Sequence, residues 1–161
     1  MVKVNLLKNR LGRAYQCGSL KIKIAETDKE FKDVGEIRIK VFEIEQEINA
    51  AQDFDGKDAE AIHIIAYIDE APTGTARIRH IEKDRSSKIE RVAVLPEFRK
   101  RGIGSQIIRY AIYLLRAEEI KVARLNAQEH LVPYYEQYGF RSISDAFDLA
   151  GIRHIAMEKR L

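Results

Sequence analysis

From residue 99 to residue 105 the chain reads Arg-Lys-Arg-Gly-Ile-Gly-Ser, three cations followed by two glycines one residue apart. Behind them Ile103, Ile107, Ala111 and Leu114 or Leu115 recur at helical spacing. The first turn of a helix leaves several backbone N–H groups without intrahelical acceptors and carries partial positive charge. Glycine removes the Cβ that would hold a ligand away from the backbone, and Arg and Lys add charge-assisted hydrogen bonds. A diphosphate is a natural occupant of such a turn. The plainer alternative is a solvated basic turn. Neither the Gly-x-Gly-x-x-Gly of dinucleotide-binding folds nor the Gly-Lys-Ser/Thr of P-loops is present.

Other chemistry-bearing side chains are spread more thinly. Glu45 and the acidic run Asp53, Asp55 and Asp58 could attract a cationic amine, though a solvated acidic loop is the favoured reading. The same run departs from the EF-hand pattern, so no metal is expected. His63, His80, His130 and His154 lack zinc-site spacing and read as strand or cap histidines. His130, just ahead of a tyrosine-rich helix, is the one most worth testing. Cys17 is the only cysteine. That excludes an internal disulfide or a multi-cysteine zinc site, and a half-buried packing role is expected for it.

These residues sit in a chain of 161, enough for one domain with a real core. Apolar residues are 45% and charged residues 33%, the composition of a folded globule. With 28 Lys and Arg against 25 Asp and Glu, the formal charge of +3 is too small to imply a nucleic-acid partner. No apolar run has the length of a membrane span and the first residues lack a signal core, so a cytoplasmic protein is expected.

The elements that must position the loop follow from periodicity. Residues 1–19 read as an extension that adds a short strand or hairpin, and 20–161 as the main domain. Residues 20–26 alternate as a strand. Thr27 to Glu30 has the form of a capping box, and Phe31, Val34, Ile37, Val41, Phe42 and Ile48 behind it predict a long amphipathic helix. Residues 61–69, 73–82 and 87–95 read as an antiparallel meander, 103 onward as a helix and 122–127 as a strand. Pro133 and Gly139 bracket a short helix, and 153–161 closes with a strand. The order β-α-β-β-β-α-β-α-β predicts an α+β fold with a mixed sheet.

"RVAVLPEFRKRGIGSQII" resembles the acyl-CoA-binding motif of the GNAT superfamily of N-acetyltransferases, Arg/Gln-x-x-Gly-x-Gly/Ala, on Arg99, Gly102 and Gly104. "YYEQYGF" (134–140) is similar to the superfamily's Phe-Tyr-Glu-x-x-Gly-Phe segment. "RIKVFEIEQ", "DFDGKD" and "RHIAMEKRL" resemble a small bacterial branch, the ElaA-like proteins. The resemblance implies a splayed, mixed, mostly antiparallel sheet flanked by helices, with acetyl-CoA as cosubstrate. It implies that Val92, Ala93 and Val94 line the pantetheine arm, with the Val94 N–H polarising the thioester carbonyl. The diphosphate would fall on Arg99, Lys100, Arg101, Gly102, Ile103, Gly104 and Ser105. Gln128 stands where many relatives have an Asn that contacts the pantetheine arm, and joins the cofactor-binding residues on that ground.

By the same resemblance Tyr135 falls at the general acid and Glu90 at a carboxylate that some relatives use as base. Strand alternation places Glu90 on the face of Val92 and Val94, and an exposed strand carboxylate is its plainer reading. The implied activity is direct acetyl transfer to a primary amine, small molecule or peptide, in a ternary complex. The alternative is a non-catalytic sensor that binds acyl-CoA or CoA. A nucleic-acid module built on residues 99–101 lacks interleaved aromatics. Homodimers are frequent among such folds. The acceptor itself is not legible.

Overall fold

A computed structural model describes residues 14–82 and 85–161. Among the described residues nine strands form a single sheet in the order β1-β2-β3-β4-β5-β6-β9-β7, with β8 also on β9. Strand β1 (Ala14–Cys17) is the edge among the described residues, paired in a hairpin with β2 (Leu20–Ile24). The hairpin expected of the extension therefore forms over its last residues, and residues 1–13 lie outside the described ones. Cys17 is exposed on this strand rather than half-buried, because among the described residues little packs on β1, whose four residues are all exposed.

Helix α1 (Asp28–Arg38) starts at the expected capping box: Thr27 accepts from the Glu30 N–H, and the Glu30 carboxylate accepts from the Thr27 N–H. Val34 and Ile37 face the sheet. Phe31, expected in the same stripe, is exposed. Over Ile39–Glu45 the helix widens into a π-helical stretch, which re-aims Val41 and Phe42 into the core below it. A short helix α2 (Ala50–Asp53), capped by Asn49, follows where only loop was expected.

The meander is β3 (Ile62–Ile68), β4 (Ala71–Glu82) and β5 (Ser86–Val94), all antiparallel. Helix α3 (Ile103–Ala117) packs Ile103, Ile107, Ala111, Leu114 and Leu115 onto the opposite face of the sheet from α1. Gly74 allows that approach, since a Cβ there would stand 2.8 Å from Ile107 Cδ1. Next come β6 (Val122–Gln128), α4 (Val132–Glu136), β7 (Arg141–Ser142), β8 (Phe147–Leu149) and β9 (Ile152–Arg160). Strands β7 and β8 were not expected from the sequence.

One feature of this sheet creates a site. Strands β5 and β6 run parallel and pair only over Ser86–Lys88 against Val122–Arg124. Beyond Lys88 they part, and β6 continues alone against β9 as far as Gln128 opposite His154. The sheet splays open along the second half of β5.

Candidate active site

The splay exposes backbone. Leu95 N–H donates to Thr73 at 2.9 Å. Alternation along an antiparallel ladder then turns the N–H and C=O of Val94 away from β4, into the gap. Arg99 Nε takes up the Val94 carbonyl at 2.9 Å, while the N–H has no acceptor among the described residues. At the end of the gap lies the N-terminus of α3. Gly102 caps it at φ 76°, a left-handed conformation that glycine adopts without strain. The first intrahelical bond runs from Gln106 N–H to the Gly102 carbonyl. The N–H groups of Arg101 through Ser105 have no acceptor among the described residues.

Two of the three basic side chains around this turn already have partners. Arg101 stacks its guanidinium 5.4 Å from the Phe98 ring centre, and Arg99 is paired with Glu45 through contacts of 2.8 and 2.6 Å. Tyr134 backs the glycine: a Cβ on Gly104 would come 3.1 Å from its hydroxyl. Ser105 and Tyr138 share a short hydroxyl–hydroxyl hydrogen bond.

Below the gap a cleft of about 420 Å³ opens, lined among others by Glu90, Val92, Gln128, Tyr135 and His154. Its volume is that of a small-molecule site. The structure thus groups the expected Glu90, Val92, Gln128 and Tyr135 in one cleft, with Val94 and residues 99–105 at the adjoining turn. Ala93 faces the other way, into the core under α1. Gln128 donates to Gln46 Oε1 at 2.9 Å.

Glu90 is on a different face from the one expected. Arg77 stands opposite Glu90 and Thr75 opposite Ala93, so Ala76 faces both Arg91 and Val92. This is a β-bulge, with Arg91 at φ 54°. The extra residue reverses the alternation and puts Glu90 on the face of Ala93 rather than of Val92 and Val94. Nor is Glu90 an exposed strand carboxylate, its side chain being only 10% accessible. It accepts from Arg77 at 2.8 Å and from Arg79 at 2.7 and 2.9 Å. Burial would raise its pKa, but the Arg79 hydrogen bonds and the charges of Arg77, Arg79 and Lys88 outweigh that and hold it at about 2.

The acidic run is not a solvated loop. Asp53, fully buried, accepts from Arg38 and Arg91, both at 3.0 Å. Asp55 takes Arg77 through two nitrogens at 2.8 and 2.9 Å, and Asp58 binds Arg38 at 2.7 Å and Arg77 at 3.0 Å. Each carboxylate is matched by a guanidinium, because ions buried beneath α1 are tolerated only when paired. Asp53 and Asp55 line the cleft, already neutralised. Among the described residues no grouping of His, Cys, Asp and Glu is arranged to hold a metal ion. The sequence carries a signal for this network: Arg77 and Arg79 alternate with apolar Ala76 and Ile78, which puts two cations on one face of an interior strand.

Tyr135 is buried, its ring edge-on to Tyr134 and Phe140. No group among the described residues hydrogen-bonds its hydroxyl. Burial, then the neighbouring Tyr138, pushes its pKa up to about 12, so the phenol keeps its proton at neutral pH. Tyr134 is pushed up further, by burial first and then by its hydrogen bond to Tyr138.

Residues 26–161 match the family model of the acetyltransferase (GNAT) domain. The chain belongs to the GNAT acetyltransferase family. Among its relatives is the Bacillus subtilis protein YjcF, named an N-acetyltransferase, 35% identical over 141 residues and covering 87% of this chain and 99% of that one. The fold of this GNAT protein is that of Escherichia coli ElaA, with a TM-score of 0.77 at 24% identity over 87% of this chain and 99% of ElaA. It is shared too by a GNAT family acetyltransferase from Elizabethkingia anophelis with acetyl-CoA bound, with a TM-score of 0.71 at 13% identity, covering 90% of this chain and all of the other. The splayed mixed sheet is thus the GNAT fold, and the bacterial branch expected from the sequence is among the relatives found.

Proposed function

We propose that this GNAT protein transfers an acetyl group from acetyl-CoA to a primary amine by direct attack in a ternary complex. The observation that carries the proposal is the row of unpartnered amides from Arg101 to Ser105, continuous with the open backbone of Val94. Free amides at a helix N-terminus, preceded by a left-handed glycine, suit a diphosphate. From there the pantetheine arm would run along β5 beside Val92 and Val94, as a strand added to the splay. The family match and the acetyl-CoA bound to the Elizabethkingia neighbour support that assignment.

The chemistry then follows from position. The Val94 N–H, unpartnered, is the donor for the thioester oxygen as it gains charge in the tetrahedral intermediate. Tyr135 is the donor to the departing thiolate: it lines the cleft, its hydroxyl has no hydrogen-bond partner among the described residues, and burial, which pushes its pKa up to about 12, keeps the proton on it until the thiolate forms. Glu90 is a poor proton acceptor in this setting, since two guanidiniums occupy its lone pairs. We assign it to holding Arg77 and Arg79 in place on the cleft wall. The acceptor is a small amine, by the volume of the cleft.

A thermal-shift titration with acetyl-CoA, followed by thiol release over an amine panel, tests the proposal. Stabilisation that rises with ligand concentration is expected, and thiol release with at least one amine. Stabilisation without release from any amine would convert the protein into an acyl-CoA sensor. No stabilisation at saturating acetyl-CoA would remove the proposal altogether.

A further inference from the structure

With Glu90 tied to two guanidiniums, the acceptor's proton needs another destination. His154 lies on β9, opposite Gln128 of β6 and Phe147 of β8, and lines the cleft. Its ring stacks on Phe147 with centres 6.3 Å apart. Its Nδ1 stands 2.8 Å from the carbonyl oxygen of Ile152. A carbonyl oxygen can only accept, so Nδ1 carries the proton. In the neutral ring the lone pair then belongs to Nε2.

That Nε2 has no hydrogen-bond partner among the described residues. It is also absent from the fully buried side-chain atoms that lack one, so it keeps an open side. His63 makes the contrast. Its Nε2 is 3.0 Å from the Asp58 carbonyl, its Nδ1 is buried without a partner, and it does not line the cleft. One ring is enclosed in the core; the other has one nitrogen tethered, its plane held by an aromatic stack, and the second nitrogen free. This is the arrangement of a positioned general base.

We propose that Nε2 of His154 takes the proton from the acceptor nitrogen. The proposal rests on the acetyltransferase reading above. An acceptor ammonium gives one proton to Nε2; the freed amine attacks the thioester carbon, the N–C bond forms and the C–S bond breaks. The thiolate takes a proton from Tyr135, and the surplus proton on the nitrogen passes through water to restore the phenol. His154 then releases its own proton to solvent. In sum, ammonium plus acetyl thioester give amide, thiol and one proton.

Two variants and one spectrum test it, all on the full chain with an amine that turns over. His154→Asn keeps an N–H for the Ile152 carbonyl and deletes Nε2. It should lower kcat by about a hundredfold or more, with the melting temperature and acetyl-CoA affinity unchanged. In His154→Ala, imidazole in the buffer should restore part of the lost rate, which a merely structural role would not allow. Long-range proton–nitrogen NMR of the unsubstituted protein should show the proton of His154 on Nδ1. A proton on Nε2, a His154→Asn variant within about threefold of the parent kcat, or a loss that imidazole does not lift would each overturn the assignment. A parent protein that binds acetyl-CoA but releases thiol with no amine overturns the acetyltransferase reading, and this one with it. An active His154→Asn overturns this one alone.

Discussion

Arg99 grips the carboxylate of Glu45, fifty-four residues earlier in the chain, through two nitrogens at 2.8 and 2.6 Å. Its Nε holds the Val94 carbonyl at the same time. One side chain thus ties the end of the π-helical stretch to β5 and to the basic turn. The Arg99 hydrogen bonds hold the Glu45 carboxyl below its ordinary range, so the pair is charged at neutral pH. A bound diphosphate would compete with Glu45 for this guanidinium.

Removing the Glu45 charge should therefore tighten binding of CoA. The pair is about two-fifths exposed on each side, and exposed pairs contribute roughly 0.2–1 kcal/mol. Glu45→Gln should lower the Kd for CoA by a factor between about 1.4 and 5 by calorimetry, a size set by that range. Weaker binding would mean that the pair serves to hold Arg99 ready rather than to occupy it.

Gly104→Ala probes the turn itself. The added methyl would sit 3.1 Å from the Tyr134 hydroxyl and 3.7 Å from Val94 Cγ2, where a pantetheine arm would pass. The helix should tolerate alanine, so the melting temperature should change little. Affinity for CoA should fall about tenfold or more, as expected when a backbone cradle is filled. Retention of full affinity would place the diphosphate elsewhere.

The capping box of α1 and the glycine turn before α3 were legible because their causes are local: Thr27 and Glu30 are three residues apart, and Gly102 answers a demand of its own backbone. The bulge was not. Arg91 adopts φ 54° because its guanidinium is fastened to Asp53 and to the Gln52 carbonyl, thirty-eight and thirty-nine residues away, and strand alternation knows nothing of such ties. The same blindness made Asp53, Asp55 and Asp58 look solvated, since burial of a charge is visible only when its partner is. His154 read as a strand residue because the tautomer that singles it out is set by the fold around the turn at Ile152. Strands β7 and β8, two and three residues long, are too short for any period to register.

The buried ion network makes stability depend on acid. Glu90 titrates near 4.5 in an unfolded chain and at about 2 in the fold. A depressed carboxylate contributes stability that is complete above the unfolded value and is lost as pH falls towards the folded one. Asp55 and Asp58 are shifted in the same direction, Asp55 chiefly by the Arg77 hydrogen bonds and Asp58 by Arg38 and Arg77 against the opposing effect of burial. The melting temperature should be flat above pH 5 and drop steeply between about 4.5 and 2. Glu90→Gln leaves Arg77 and Arg79 short of a counter-charge and should cost about 3 kcal/mol at neutral pH, with a shallower acid slope. An unchanged slope would show that other carboxylates govern acid unfolding.

Tyr135→Phe removes the proposed acid while keeping the ring that packs against Tyr134 and Phe140. It should lower kcat about tenfold to a hundredfold and leave the melting temperature and acetyl-CoA affinity intact. Tyr134→Phe should affect CoA affinity more than kcat, because its hydroxyl faces Gly104. The reverse pattern would exchange the two roles.

Hydrogen exchange at Arg101 through Ser105 with and without CoA reads the amides that open α3 directly. Slowed exchange at these positions and at Val94, growing with CoA concentration, is the result expected. Exchange unchanged there at saturating CoA, with protection appearing on another surface, would contradict it.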